Sequence, residues 1–92
     1  MKDSLHGLLS EALERLRQAG EVATDVQPDI QVTRPKEASH GDFACNIAMQ
    51  LAKPMRRKPR EVAELLLAHL PKAPWLSDVH IAGPGFLNFF LD

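Results

Sequence analysis

The stretch Asp78-Val-His-Ile-Ala-Gly-Pro-Gly-Phe-Leu-Asn-Phe-Phe-Leu91 decides the fold, because two alternating runs meet across Gly83-Pro84-Gly85. Alternation at period two is the pattern of a pleated strand, and a short Gly/Pro turn between two such runs predicts a β-hairpin. In the second run Leu87, Phe89 and Leu91 fall on one face and Phe86, Asn88 and Phe90 on the other. The first set is a plain core face. The second interleaves flat aromatics with an amide that both donates and accepts hydrogen bonds, which suits an unstacked nucleic-acid base. The competing reading is a continuous apolar strand buried on both sides. An apolar strand that closes a chain would also lie open as an edge, so the sequence is expected to be a domain of a longer polypeptide.

Upstream, Leu5, Leu8, Leu9, Ala12, Leu13 and Leu16 recur at helical spacing, with Glu11, Glu14, Arg15 and Arg17 opposite them. This predicts a helix over roughly residues 4–19, capped by Asp3 or Ser4 and closed by Gly20. Ile30-Gln-Val-Thr-Arg-Pro35 is alternating and β-branched and reads as a short strand ending at Pro35. Lys36 to Phe43 fits either a loop or a second short strand. From Asp42 a helical pattern places Phe43, Ile47 and Leu51 on one face, with Pro54 as its end. Pro59 suits the first position of another helix over about 59–70, which turns Val62, Ala63, Leu66, Leu67 and Leu70 inward. Helices on one face of a small antiparallel sheet predict an α+β fold of two layers, in the order α-β-β-α-α-β-β where Lys36–Phe43 supplies the second strand.

The chain has 92 residues, enough for one domain and one modest core. Its 45% hydrophobic and 25% charged content is that of a soluble globular protein. Eleven basic against twelve acidic residues leave a net charge of −1, so nucleic acid is not bound by a basic coat, and any contact is local and shape-dependent. No run approaches a membrane span, no signal peptide opens the chain, and the single cysteine suits a reducing compartment; the expected location is the cytoplasm.

Cys45, His40 and Asp42 lie close in sequence, yet a nucleophilic cysteine needs a base placed by the fold, and a cysteine among alanines reads as a small core residue. His6, His40, His69 and His80 show no metal-ligand spacing with Cys45. His69 should meet the carbonyl end of its helix and His80 should face solvent. The expectation is no catalytic residue and no metal. Lys53 to Arg60 holds five of the eleven basic residues in eight positions. It reads as a solvated interhelical loop, or as a phosphate-contacting patch carried by Arg56, Arg57 and Lys58 if the aromatic strand binds RNA.

Three blocks taken together, Ser39-His-Gly-Asp-Phe-Ala-Cys-Asn-Ile-Ala-Met-Gln-Leu-Ala-Lys53, Pro59-Arg-Glu-Val-Ala63 and Val79 to Leu91, resemble the N-terminal domain of bacterial arginyl-tRNA synthetases. The resemblance covers residues 1–92. It implies helices packed on a small antiparallel sheet, with Lys36–Phe43 partly a strand, leaning on the outer corner of tRNA-Arg at the D-loop. It further implies that Phe86 stacks on a D-loop base, that Asn88 reads that base's edge, and that Gly41, Asp42, Phe43 and Asn46 are structural. Some relatives carry Tyr where this chain has Phe86, so a hydroxyl hydrogen bond is missing here. The family's His-Ile-Gly-His and Lys-Met-Ser-Lys-Ser signatures are absent, and His80-Ile81-Ala82-Gly83 is followed by Pro84 where the last His would fall. The resemblance therefore implies a non-catalytic module without a cofactor. Its parent would be a monomeric, ATP- and Mg-dependent arginine–tRNA ligase, and its partners tRNA-Arg and that parent's catalytic domain. The alternative function is a structural or protein-interaction domain that docks a partner through its C-terminal strand.

Overall fold

Leu5, Leu9, Ala12, Leu13 and Leu16 form one buried stripe on helix α1, Lys2–Gln18, in the computed structural model, which describes residues 1–92. Neither Asp3 nor Ser4 caps this helix: it begins a turn earlier than its polar residues suggest, and Asp3 sits inside the first turn. Gly20 does close it, with a φ of 77° and its N–H donated to the Arg17 carbonyl. Strand β1 is Val32–Thr33, and a 3₁₀ turn at Ala38–His40 leads to β2, Phe43–Cys45. Helices α2, Ile47–Met55, and α3, Pro59–His69, follow, and then the hairpin of β3, Leu76–Ala82, and β4, Phe86–Leu91.

The order is α-β-β-α-α-β-β, and the four strands form one antiparallel sheet arranged β1-β2-β4-β3. All three helices pack on one face of it. The core between the layers takes Leu5, Leu9 and Leu16 from α1, Ile47 and Leu51 from α2, Val62 and Leu66 from α3, and Leu87 and Phe89 from β4.

Two expectations are corrected. The helix read from Asp42 starts at Ile47, and Phe43 and Cys45 belong to strand β2. The 43/47/51 spacing misled because Phe43 and Cys45, two apart, already point into the core from a strand. Lys36–Phe43, open between loop and strand in the sequence, is loop and 3₁₀ turn up to Asp42 and becomes strand at Phe43, in keeping with the partial strand the resemblance implied. The C-terminal strand is not an open edge: β4 lies between β2 and β3, and the edges are the short β1 and β3. Docking by backbone pairing along β4 is thereby closed, since both of its sides are already paired.

β4 is tied to the preceding loop by the Gly41-Asp42 pair. Asp42 donates its N–H to the Phe89 carbonyl at 2.8 Å, and its carboxylate Oδ2 accepts the Leu91 N–H at 2.8 Å. Gly41, at φ 92°, lies so close to β4 that an added Cβ would stand 2.6 Å from the Phe89 carbonyl oxygen. Gly41→Ala should therefore cost about 1–3 kcal/mol from the backbone conformation alone. For a domain of this size that lowers the melting temperature by roughly 4–8 °C per kcal/mol, which a thermal melt would read.

Candidate nucleic-acid interface

The face of the sheet away from the helices carries Phe86, Asn88 and Phe90. Strand register sets Thr33, Ala44, Asn88 and His80 in one row across β1, β2, β4 and β3. Phe86 pairs with Ala82 and Phe90 with Asp78. The alternation read from sequence is thus the observed one for Leu87, which is fully buried, and for Phe86, which is 41% exposed. Apart from Met1, Phe86 is the only large apolar side chain left exposed.

Asn88 faces the outer side but is only 6% exposed. An interior strand is flanked on both sides, and the neighbouring row covers the short amide where an edge position would leave it bare. No protein group hydrogen-bonds that amide, and Arg17 Nε is the one fully enclosed side-chain polar atom left without a partner. The Asn88 amide therefore opens into the concavity that its residue lines. An amide that makes no bond within the protein keeps its donor and its acceptor free for a ligand edge.

That concavity measures about 680 Å³, the largest on the surface. On one side it is lined by Thr33 to Lys36 and by His40, on the other by the turn Gly83-Pro84 and by Phe86. The turn is fixed from behind. Arg60 donates from Nη1 to the Gly83 carbonyl at 2.7 Å, and a Cβ on Gly85, at φ 146°, would stand 2.9 Å from Pro59 Cβ.

Arg56, Arg57 and Lys58 do not line the concavity. They occupy the α2–α3 junction: Arg56 takes the left-handed C-cap position, Arg57 pairs with Glu21 at 2.9 Å, and Lys58 precedes α3 with its N–H 3.4 Å from the Glu61 carboxylate. Basic side chains beside Phe86 and Asn88 come instead from Arg34, Lys36 and His40, which lie outside the basic cluster in the sequence. Their signal was weak: they are spaced out around Pro35 and across a loop. The Arg34 guanidinium is turned away over the Phe43 ring, 4.7 Å from its centroid, a cation–π contact on the helix side.

On the far part of the face, His80 is exposed as expected, lying 4.7 Å from the Phe90 ring and 2.7 Å from the Asp78 carboxylate. Its hydrogen bond holds the Asp78 carboxyl below the usual range, with help from the Val79 N–H. His69 accepts its expected place by bonding the Leu65 carbonyl through Nδ1 at 2.9 Å.

Cys45 is 2% exposed within the core, whereas His40 is exposed in the loop, so the structure does not assemble a thiol–imidazole pair. Burial pushes the thiol pKa up, against the smaller opposite effect of backbone hydrogen bonds from Ile47, Gln31 and Asn46. Thiol reagents should accordingly label native Cys45 far more slowly than free cysteine, at a rate that rises only when denaturant opens the core; labelling at the free rate in the native state would contradict this packing.

This arrangement of three helices on a β1-β2-β4-β3 sheet occurs within known tRNA-charging enzymes. The structure superposes on the arginyl-tRNA synthetase of Plasmodium falciparum with a TM-score of 0.79 at 12% identity, covering 99% of this chain and 16% of that one. It superposes on the Thermus thermophilus arginyl-tRNA synthetase with a TM-score of 0.77 at 24% identity, covering 100% of this chain and 14% of that one. The profile of the arginyl-tRNA synthetase N-terminal domain matches residues 3–91, and the chain belongs to that family. Among its relatives, the arginine–tRNA ligase of Thioalkalivibrio sulfidiphilus is 53% identical over 91 residues and that of Stutzerimonas stutzeri 57% identical over 90. These matches take in 99% and 98% of the chain but only 16% of each relative's length.

Proposed function

We propose that this domain is the tRNA-contacting module of an arginine–tRNA ligase, and that its outer sheet face receives an unstacked base of the D-loop of tRNA-Arg. The observation that carries the reading is the exposed Phe86 ring beside the unbonded Asn88 amide in one concavity. The ring offers a plane that stacks on any base; the amide offers one donor and one acceptor edge that suits only some. In this reading the arginylation chemistry, with its ATP and Mg, belongs to the remaining five-sixths or so of a chain like its relatives, in the cytoplasm. Within such a ligase the domain's partners are tRNA-Arg and the catalytic domain beside it, in a monomeric enzyme.

Family membership supports a place in arginine–tRNA ligation, and the site geometry supports the base-reading role. A partner docked by strand addition along β4 lacks a free edge to use. No helix of the chain is long and apolar enough to cross a membrane.

A base on an aromatic is worth ~1–3 kcal/mol, so Phe86→Ala should weaken tRNA-Arg binding by roughly 5- to 150-fold. Asn88→Ala should narrow the preference among D-loop bases more than Phe86→Ala does, because an amide reads an edge and a ring does not. Neither variant should melt much below wild type: Phe86 is exposed, and the Asn88 amide forms no hydrogen bond inside the protein to lose. Affinities for tRNA transcripts that differ at one D-loop base, beside thermal melts, decide the matter. Variants that bind like wild type, or that unfold, overturn the role.

Arg56, Arg57 and Lys58 serve this module as a second, sequence-indifferent phosphate patch. Replacing all three by Gln should lower affinity equally for cognate and altered D-loops and flatten the salt dependence. A loss of base preference in that triple variant would show that positioning and readout had been assigned to the wrong elements.

A further inference from the structure

We propose that Lys36 and His40 hold the backbone phosphate of the same nucleotide whose base packs on Phe86, so that the β1–β2 loop is the phosphate side of the concavity. The inference rests on the base-reading role given above to Phe86 and Asn88. A nucleotide in this space must put its sugar-phosphate to one side of the ring. The hairpin side is occupied by Gly83 and Pro84, which bring no side-chain donor. The opposite side presents the Lys36 ammonium and the His40 ring, both exposed. Lys36 supplies a point charge and His40 an N–H donor.

Neither residue is engaged elsewhere. The ion pairs of the chain join Glu11 with Arg15, Glu14 with Arg17 and Glu21 with Arg57, and the Asp78 carboxylate is hydrogen-bonded to His80. No Asp or Glu lines the concavity, so in a domain of net charge −1 this is a spot where positive potential is left uncancelled. The other guanidinium or ammonium group there, that of Arg34, is committed to Phe43.

The loop is also held at a fixed distance from the base site. His40 donates its N–H to the Glu37 carbonyl and Gly41 to the Ala38 carbonyl, each at 3.0 Å, and Gly41 and Asp42 then fasten the loop to β4. β4 is the strand that carries Phe86 and Asn88. A phosphate contact and a base contact fixed to one strand are pre-organised to act on one nucleotide, so their effects should be coupled. Arg56, Arg57 and Lys58, outside the concavity, should act independently of Phe86.

The test is a double-mutant cycle read by NMR chemical-shift titration of the 92-residue chain with a tRNA-Arg transcript at several salt concentrations. K36Q/H40Q should weaken binding several-fold at low salt and reduce the log–log salt slope by roughly 0.7–0.9, as the loss of one phosphate contact does. K36R in the same assay should keep the slope. The fold-loss caused by F86A should shrink in the K36Q/H40Q background but stay unchanged in the R56Q/R57Q/K58Q background. Full F86A loss in both backgrounds, or an unaltered slope in K36Q/H40Q, overturns the shared-nucleotide assignment and leaves the base site standing. Indifference to F86A alone overturns the base site beneath it, and the assignment with it.

Discussion

Asp42 is the residue on which the geometry of the outer face depends. Its backbone N–H binds the Phe89 carbonyl and its carboxylate binds the Leu91 N–H, so one residue fills the positions where β4 would otherwise leave its end unpaired beyond β2. A carboxylate–amide bond is stronger than a neutral one, and here it is doubled by the backbone bond beside it. Gly41 permits the approach, because any side chain would press on the Phe89 carbonyl. The same fastening that completes the sheet brings the β1–β2 loop over one end of β4 and thereby makes a concavity out of a flat face.

The central position of β4 explains why one strand serves two purposes. Leu87 and Phe89 carry the core contacts of the strand, and flanking pairs on both sides hold its backbone. Residues on the opposite face are then not needed for the core between the layers. Phe86 can stay exposed, and Asn88 can keep its amide unpaired at a position where an apolar residue would have been cheaper. Burial of the inner row thus stabilises a strand whose outer row is chosen on other grounds.

Much of this was legible in the residues. The hairpin could be read because Gly83-Pro84-Gly85 separates two clean alternations, and α1 and α3 because their apolar stripes run uninterrupted. β2 could not, since three residues are too few to show a period and Phe43 happens to sit one helical turn before Ile47. The rank of β4 in the sheet was equally hidden: strand order depends on Phe43–Cys45 reaching across to β4, a pairing between segments more than forty residues apart. With it went the exposure of Asn88, because sequence alternation gives the face of a side chain and not how deeply its neighbours cover it. Lys36 and His40, the basic residues of the concavity, were obscured for a related reason. Five basic residues in a row of eight draw the eye to the α2–α3 junction, whereas the concavity collects single residues from separate elements.

That separation bears on how a nearly neutral domain can meet a polyanion at all. A basic surface gains affinity from many phosphates and loses it steeply with salt. This chain instead pairs Arg15, Arg17 and Arg57 with nearby acids, and its eight other Lys and Arg residues are offset by the remaining acids to a net charge of −1. Exposed pairs of this kind add little stability, but they lower the long-range field that would attract any nucleic acid. What is left is a short-range match: one plane, one amide and one or two phosphate donors, all referred to the same strand. Such a site binds weakly by itself and only where a base is already free of its stack. Under the proposed function its use in a larger ligase is discrimination rather than capture, since the extra affinity it adds is available only to the RNA whose loop presents that base at the right place.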